Sequence, residues 1–206
     1  AAPPPPPLAP LPVRTGGPPA AGGASHYRDI PMTTTINRLN LAEINEMDQG
    51  DFIAAVGPTF ENAAWIPHAA WARRPFASTD ALHAAMLDVV RQAPEERRLA
   101  FLCGHPELAG REAQAGTMTV ESVGEQRSAG LDALSRDEMG EMQRLNRVYR
   151  ERHGFPFIIA VRRNTKQQIF EALRTRAAAS TETERRAALE QIGFITRGRI
   201  DALLAG

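Results

Sequence analysis

From Leu39 onward, apolar and polar positions alternate with the period of a helix, and no stretch shows strand-like alternation flanked by hairpin turn residues. Leu82, Met86 with Ala85, Val89 and Val90 form one stripe behind Ser78, a residue type whose hydroxyl caps free amides at a helix start. Pro94 is suited to the first position of the next helix, which the pattern carries to about Leu102. Ser135 and Glu138 have the spacing of a reciprocal capping box, and the helix they open runs to about His153, where Gly154 supplies a stop. Thr181 and Glu184 repeat that spacing before a final amphipathic run. Short connections imply antiparallel neighbours. The pattern predicts an all-α fold, a compact single domain of about eight helices, with no internal repeat.

The segment 1–31, AAPPPPPLAPLPVRTGGPPAAGGASHYRDIP, breaks this regularity with ten of the chain's 16 prolines. Proline removes backbone donors and favours extended chain, so the segment is expected to be a Pro-rich disordered tail or linker, followed by one domain over 32–206.

Three further breaks carry candidate chemistry. In FLCGHPELAG, Pro106 pushes His105 out of helical geometry just past a helix end, which aims the imidazole; a simple polar cap is the bland alternative. In TVESVGEQRSAGLD, Thr119 can cap a helix on which Ser122, Glu125 and Gln126 share one face. They converge on a ligand, or they form a solvated face with Glu125 paired to an arginine. Gly124 beside Glu125 leaves room for a close approach. In ALEQIGFITRGRIDALL, helical spacing puts Arg199 in register with the apolar stripe, whereas Arg197 can pair with Asp201 in water. An inward arginine needs an anion; snorkelling to the helix end is the alternative. GFPFIIAVR, from Gly154 to Arg162, is too short and too apolar for another amphipathic helix. Its extended backbone offers amides and carbonyls to a planar polar ligand, or it simply fills core.

Bulk composition narrows the function classes. Lys+Arg and Asp+Glu both number 24, so no net field draws the chain to nucleic acid or an anionic membrane. No run approaches the roughly 20 apolar residues of a membrane span. The lone Cys103 forms no internal disulfide and anchors no cysteine-based zinc site, which fits a reducing, cytoplasmic setting. His26, His68, His83 and His153 show no paired ligand spacing, so no metal site is expected.

The order of these segments is more specific than any one of them. GHPELAG, T-x-x-S-x-x-EQ-x-x-AGLD, LNRVYRERHGFPFIIAVR and the closing I-x-x-x-x-R-x-R-I-x-x-L resemble the 2-oxo-4-hydroxy-4-carboxy-5-ureidoimidazoline (OHCU) decarboxylases, from about Ile36 to Leu204. The resemblance implies an all-helical homodimer without metal or organic cofactor, acting on a small ureidoimidazoline and yielding (S)-allantoin and carbon dioxide. It implies His105 and Glu125 as catalytic residues. Substrate-binding positions fall on Pro106, Ser122, Gln126 and Arg199, and on backbone groups of Phe155, Phe157, Ile158 and Ile159. A non-catalytic helical module that binds a ureide is the alternative. Arg38, Trp65 and Trp71 are expected to serve packing.

Overall fold

Capping signals place most of the helices. The computed structural model describes residues 39–204, and the Pro-rich segment 1–31 and Arg38 lie outside the described residues. The helices are α1 (Leu41–Glu46), α2 (Gln49–Val56), α3 (Trp65–Ala70), α4 (Thr79–Gln92), α5 (Glu95–Cys103), α6 (Arg111–Ala115), α7 (Val120–Ser128), α8 (Arg136–His153), α9 (Lys166–Arg176) and α10 (Thr181–Leu203). Among the described residues there are ten α-helices where about eight were expected; α1, α3 and α6 span only six, six and five residues, too few for a periodic stripe to register. Among the described residues the only extended pairing is one isolated parallel bridge, Leu39 with Leu204.

Ser78, Thr119 and Ser135 cap their helices as expected, and Ser135 and Glu138 form the reciprocal box. Gly154 closes α8 at φ 81°, a left-handed conformation that glycine adopts without a Cβ clash. Two expectations need correction. Pro94 caps α5 from outside, with ψ 150°, instead of opening it. The cap of α10 is Ser180, not Thr181, because Glu184 is drawn inward by other partners.

The long helix α10, about 34 Å from end to end, packs against α4 and α8 and buries Glu184, Ala188, Ile192, Thr196 and Ile200, a strict four-residue row. Thr196 returns its hydroxyl to the Ile192 carbonyl at 2.8 Å and meets His83 Nε2 at 2.9 Å, so its polar atom is satisfied. Tyr149, fully buried on α8, donates to Glu184 Oε2 at 2.7 Å. Arg176 at the end of α9 donates to the same oxygen at 2.9 Å and to the Ile158 carbonyl at 3.1 Å. This buried network ties α8, α9 and α10 to the extended segment 155–160, so secondary structure positions a loop. Trp65 meets Phe101 edge-on, and Trp71 lies under Arg74; both are packing residues as expected.

Tyr149→Phe removes the phenol donor and leaves Glu184 with an unfilled acceptor site in the core. Unfolding free energy is expected to fall by about 1–3 kcal/mol, read from urea denaturation at unchanged helical content.

Candidate active site

His105 leaves α5 through Gly104, and its ring is half-buried against Phe101, edge to face at 5.0 Å. Nδ1 lies 3.0 Å from the Phe101 carbonyl. A carbonyl only accepts, so Nδ1 carries the proton and Nε2 keeps its lone pair. Burial drives the His105 pKa below the ordinary 6.5 to about 4, against the opposing pull of the Phe101 carbonyl and Glu61. The ring is therefore neutral near pH 7, with a basic nitrogen available to the cavity that His105 lines.

The loop after His105 is held from three sides. Ala109 sits at φ 48°, a conformation costing roughly 1–2 kcal/mol for a residue with a Cβ. The Gln126 carbonyl accepts the Ala109 amide at 2.8 Å, and its NH2 group donates to the Glu107 carbonyl at 3.3 Å. Asn146 on α8 donates to the Leu108 carbonyl at 2.9 Å. Gln126 lines the cavity, but its amide is engaged in holding this loop.

Arg199 is the inward arginine that helical spacing identifies; its side chain is 8% exposed. Nε and Nη2 form a fork on Glu125 of α7, both at 2.8 Å. Nη1 donates to Glu61 Oε2 at 2.9 Å, and Nη2 reaches Ser122 Oγ at 3.2 Å. Ser122 in turn donates to Glu61 at 2.9 Å. Burial alone would lower the Arg199 pKa, but Glu125 and then Glu61 outweigh it and hold it above the usual range. The exposed alternative for Glu125, pairing to an arginine, and the inward alternative are thus one arrangement.

Around these groups lies a cavity of about 40 Å³, lined also by Pro106, Leu108, Phe157, Ile158, Ile159, Val161 and Ile195. Pro106, Ser122, Phe157, Ile158 and Ile159 are thus brought together around it. Phe155 is not: it is wholly buried against Tyr149 and His153 and serves the core. The backbone of the extended segment is only partly used. Arg176 takes the Ile158 carbonyl and Gln191 the Ala160 amide, while the amides and carbonyls of Phe157 and Ile159 have no partner among the described residues. Backbone groups left open beside a cavity are able to pair with a ligand that has amide-like edges.

Gly124 plays no part in a close approach. A Cβ there would stand 3.7 Å from Arg162 Nη2, an ordinary contact. The residue that sequence reasoning missed is Glu61. It lies in the connection between α2 and α3, where no periodicity marks it, and is 4% exposed. An outer cleft of about 620 Å³, lined in part by Arg162, Arg163 and Phe194, shares Glu125, Val161, Ile195 and Arg199 with the inner cavity. The Arg199–Glu125 pair thus lines both spaces. Among the described residues no three His, Cys, Asp or Glu side chains are grouped as metal ligands, and no helix is long and apolar enough to cross a membrane.

Residues 45–201 match the family described as OHCU decarboxylase. The chain is 39% identical to the 2-oxo-4-hydroxy-4-carboxy-5-ureidoimidazoline decarboxylase of Haloferax volcanii over 165 residues, 80% of this chain and 96% of that one. It is 34% identical to a uric acid degradation bifunctional protein of Bacillus sp., covering 80% of this chain and 32% of that protein. Among solved structures it resembles an (S)-allantoin synthase with a TM-score of 0.65 and 25% identity, over 81% of this chain and 54% of the other.

The depressed pKa of His105 has a consequence for stability. The unfolded chain binds this proton more tightly than the folded one, so the contribution is complete above 6.5 and is lost as pH falls toward about 4. His83 and His153 are lowered in the same direction by burial, so the variant isolates the share of His105. His105→Asn is expected to flatten the rise of unfolding free energy between pH 4 and 6.5, measured by denaturant titration across that range.

Proposed function

The chain belongs to the OHCU decarboxylase family, and on that premise we propose that His105, Glu125 and Arg199 act as one catalytic centre. The enzyme converts 2-oxo-4-hydroxy-4-carboxy-5-ureidoimidazoline to (S)-allantoin and carbon dioxide in urate degradation. The observation that carries the assignment of roles is convergence. A basic imidazole nitrogen, a carboxylate, a guanidinium and unpaired backbone amides from four separate segments face one small cavity.

The substrate's name fixes its bonding. C2 is a carbonyl and C4 bears both hydroxyl and carboxylate, so the one ring imine joins C5, which carries the ureido group, to N1. When the C4–carboxylate bond breaks, its electron pair forms a C4–C5 double bond and the imine pair moves to N1, which takes a proton from solvent. The ring itself accepts the electrons. The resulting enol then loses its hydroxyl proton, gains a proton at C5 and becomes the product carbonyl. One proton is consumed overall.

The protein's task is to bind, orient and move that proton. His105 Nε2 accepts the hydroxyl proton and returns it to one face of C5, which sets the product's handedness. Arg199 meets negative charge on the substrate as a two-pronged donor. Glu125, displaced from one arm of the fork, orients the hydroxyl or N1–H. The Phe157–Ile159 backbone receives the ureido and ring amides, with Pro106, Ser122 and Gln126 closing the wall. About 40 Å³ holds little more than one water, so substrate binding opens the fork from the outer cleft. The same reading carries a homodimeric assembly and places 32–206 as the catalytic domain.

A ureide-binding module would be stabilised by ligand yet release no carbon dioxide. An assay started from urate with the preceding enzymes, read by circular dichroism of the product, separates the two. His105→Asn is expected to lower kcat by about 100- to 10,000-fold with the fold intact; an unchanged single-turnover rate would refute the assignment. In the unsubstituted enzyme kcat/KM should keep its plateau as pH falls through 6.5 and decline only toward about 4. A limb centred at 6.5 would show that the histidine is not held neutral.

A further inference from the structure

Glu61 sits between two of the helices that supply the site, α7 and α10. Its carboxyl group receives Thr119 Oγ1 at 2.9 and 3.1 Å, Ser122 Oγ at 2.9 Å and Arg199 Nη1 at 2.9 Å. Every one of these partners donates, which is the pattern of an ionised, acceptor-only carboxylate. Thr119 also caps α7, the helix that carries Glu125, by accepting the Ser122 amide at 3.3 Å. Glu61 therefore links the start of α7 to the guanidinium of α10.

Its neighbours extend the link to the histidine. Asn62, at φ 50°, donates its side-chain amide to the Gly104 carbonyl at 3.2 Å, one residue before His105. Phe60 packs on Phe101, the residue whose carbonyl orients the His105 ring, with centroids 6.4 Å apart. One tripeptide thus touches the elements bearing all three reactive groups.

The two acids on Arg199 are not equivalent. Glu125, its side chain 12% exposed, lines the outer cleft, and its carboxylate accepts hydrogen bonds from Arg199 alone among the described residues. Glu61, with its side chain 2% exposed, is anchored by two hydroxyls as well. If both acids left the guanidinium together, a buried charge would stand unpaired, at a cost of several kcal/mol.

Resting on the decarboxylase reading, we propose that Glu61 is a positioning residue, the fixed counter-ion that holds Arg199 in place while Glu125 is exchanged for substrate. It touches no reacting atom. It keeps the guanidinium paired and aimed during that exchange, and it holds Ser122 against α10.

Substitution at Glu61 tests this, with wild-type turnover of the ureidoimidazoline reporting on the decarboxylase reading and variant-to-wild-type ratios reporting on Glu61. Glu61→Gln places an NH2 group among donors and removes the charge; kcat is expected to fall about 100-fold, the cost of a small misplacement of a reacting group, while KM changes less. Glu61→Asp keeps the charge but shortens the reach by one bond, and should lose less of kcat; it carries the test where Glu61→Gln does not fold. A merely structural residue would not control chemical rescue, so Arg199→Ala is assayed with added guanidinium chloride. Rescue is expected with Glu61 present and is expected to disappear in the Arg199→Ala, Glu61→Gln double variant. Wild-type kcat and KM in either Glu61 variant, or equal rescue in the single and double variants, would overturn the proposal.

Discussion

A guanidinium on the inner side of the last helix cannot remain without counter-charge, and the site is organised around satisfying it. Arg199 reaches one acid on α7 and another in the connection before α3, two segments separated from it by 74 and 138 residues. Neither contact is local, so each closes a long loop and both form only when α10 has docked. Breaking such a pair by removing one partner typically costs about 3–5 kcal/mol. The same contacts that bring α7 and α10 together therefore set the geometry of the reactive groups, and folding the domain assembles the site.

That dependence explains what could be read from the residues alone. Arg199 is legible because an arginine in register with an apolar stripe contradicts the pattern, and contradictions of that kind mark sites. His105 is legible because proline dictates the backbone just before it. Ser122, Glu125 and Gln126 are legible as a shared helical face, although Gln126 proves to hold a strained loop with its amide. Glu61 is not legible by these means. It belongs to a loop with no period, its neighbour adopts a left-handed backbone without glycine, and its partners lie 58 to 138 residues away. The misplacement of the α10 cap has a related cause. Thr181 and Glu184 have correct capping spacing, but Tyr149 and Arg176 recruit Glu184 to the core, and Ser180 takes over the cap. Tertiary partners outrank a local motif when they satisfy the same group more completely.

The electrostatics of the centre follow from who is paired with whom. Arg199, the cation whose charge acts on His105, has two acids within hydrogen-bond reach and is already compensated. Burial then governs the imidazole and leaves it neutral. A neutral ring with its proton fixed on Nδ1 can take a proton at Nε2 without first losing one, which is the requirement of a base. Had the ring been charged, it would have offered no acceptor.

The closed fork gives this arrangement a further property. Glu125 occupies two prongs of Arg199 that a planar anion could otherwise take. An intruding ligand must match that fork to displace it, because any group that makes fewer contacts leaves Arg199 less well paired than before. On the proposed roles, discrimination falls at the moment of binding, in the competition between an internal carboxylate and an external one, before any bond in the substrate is broken.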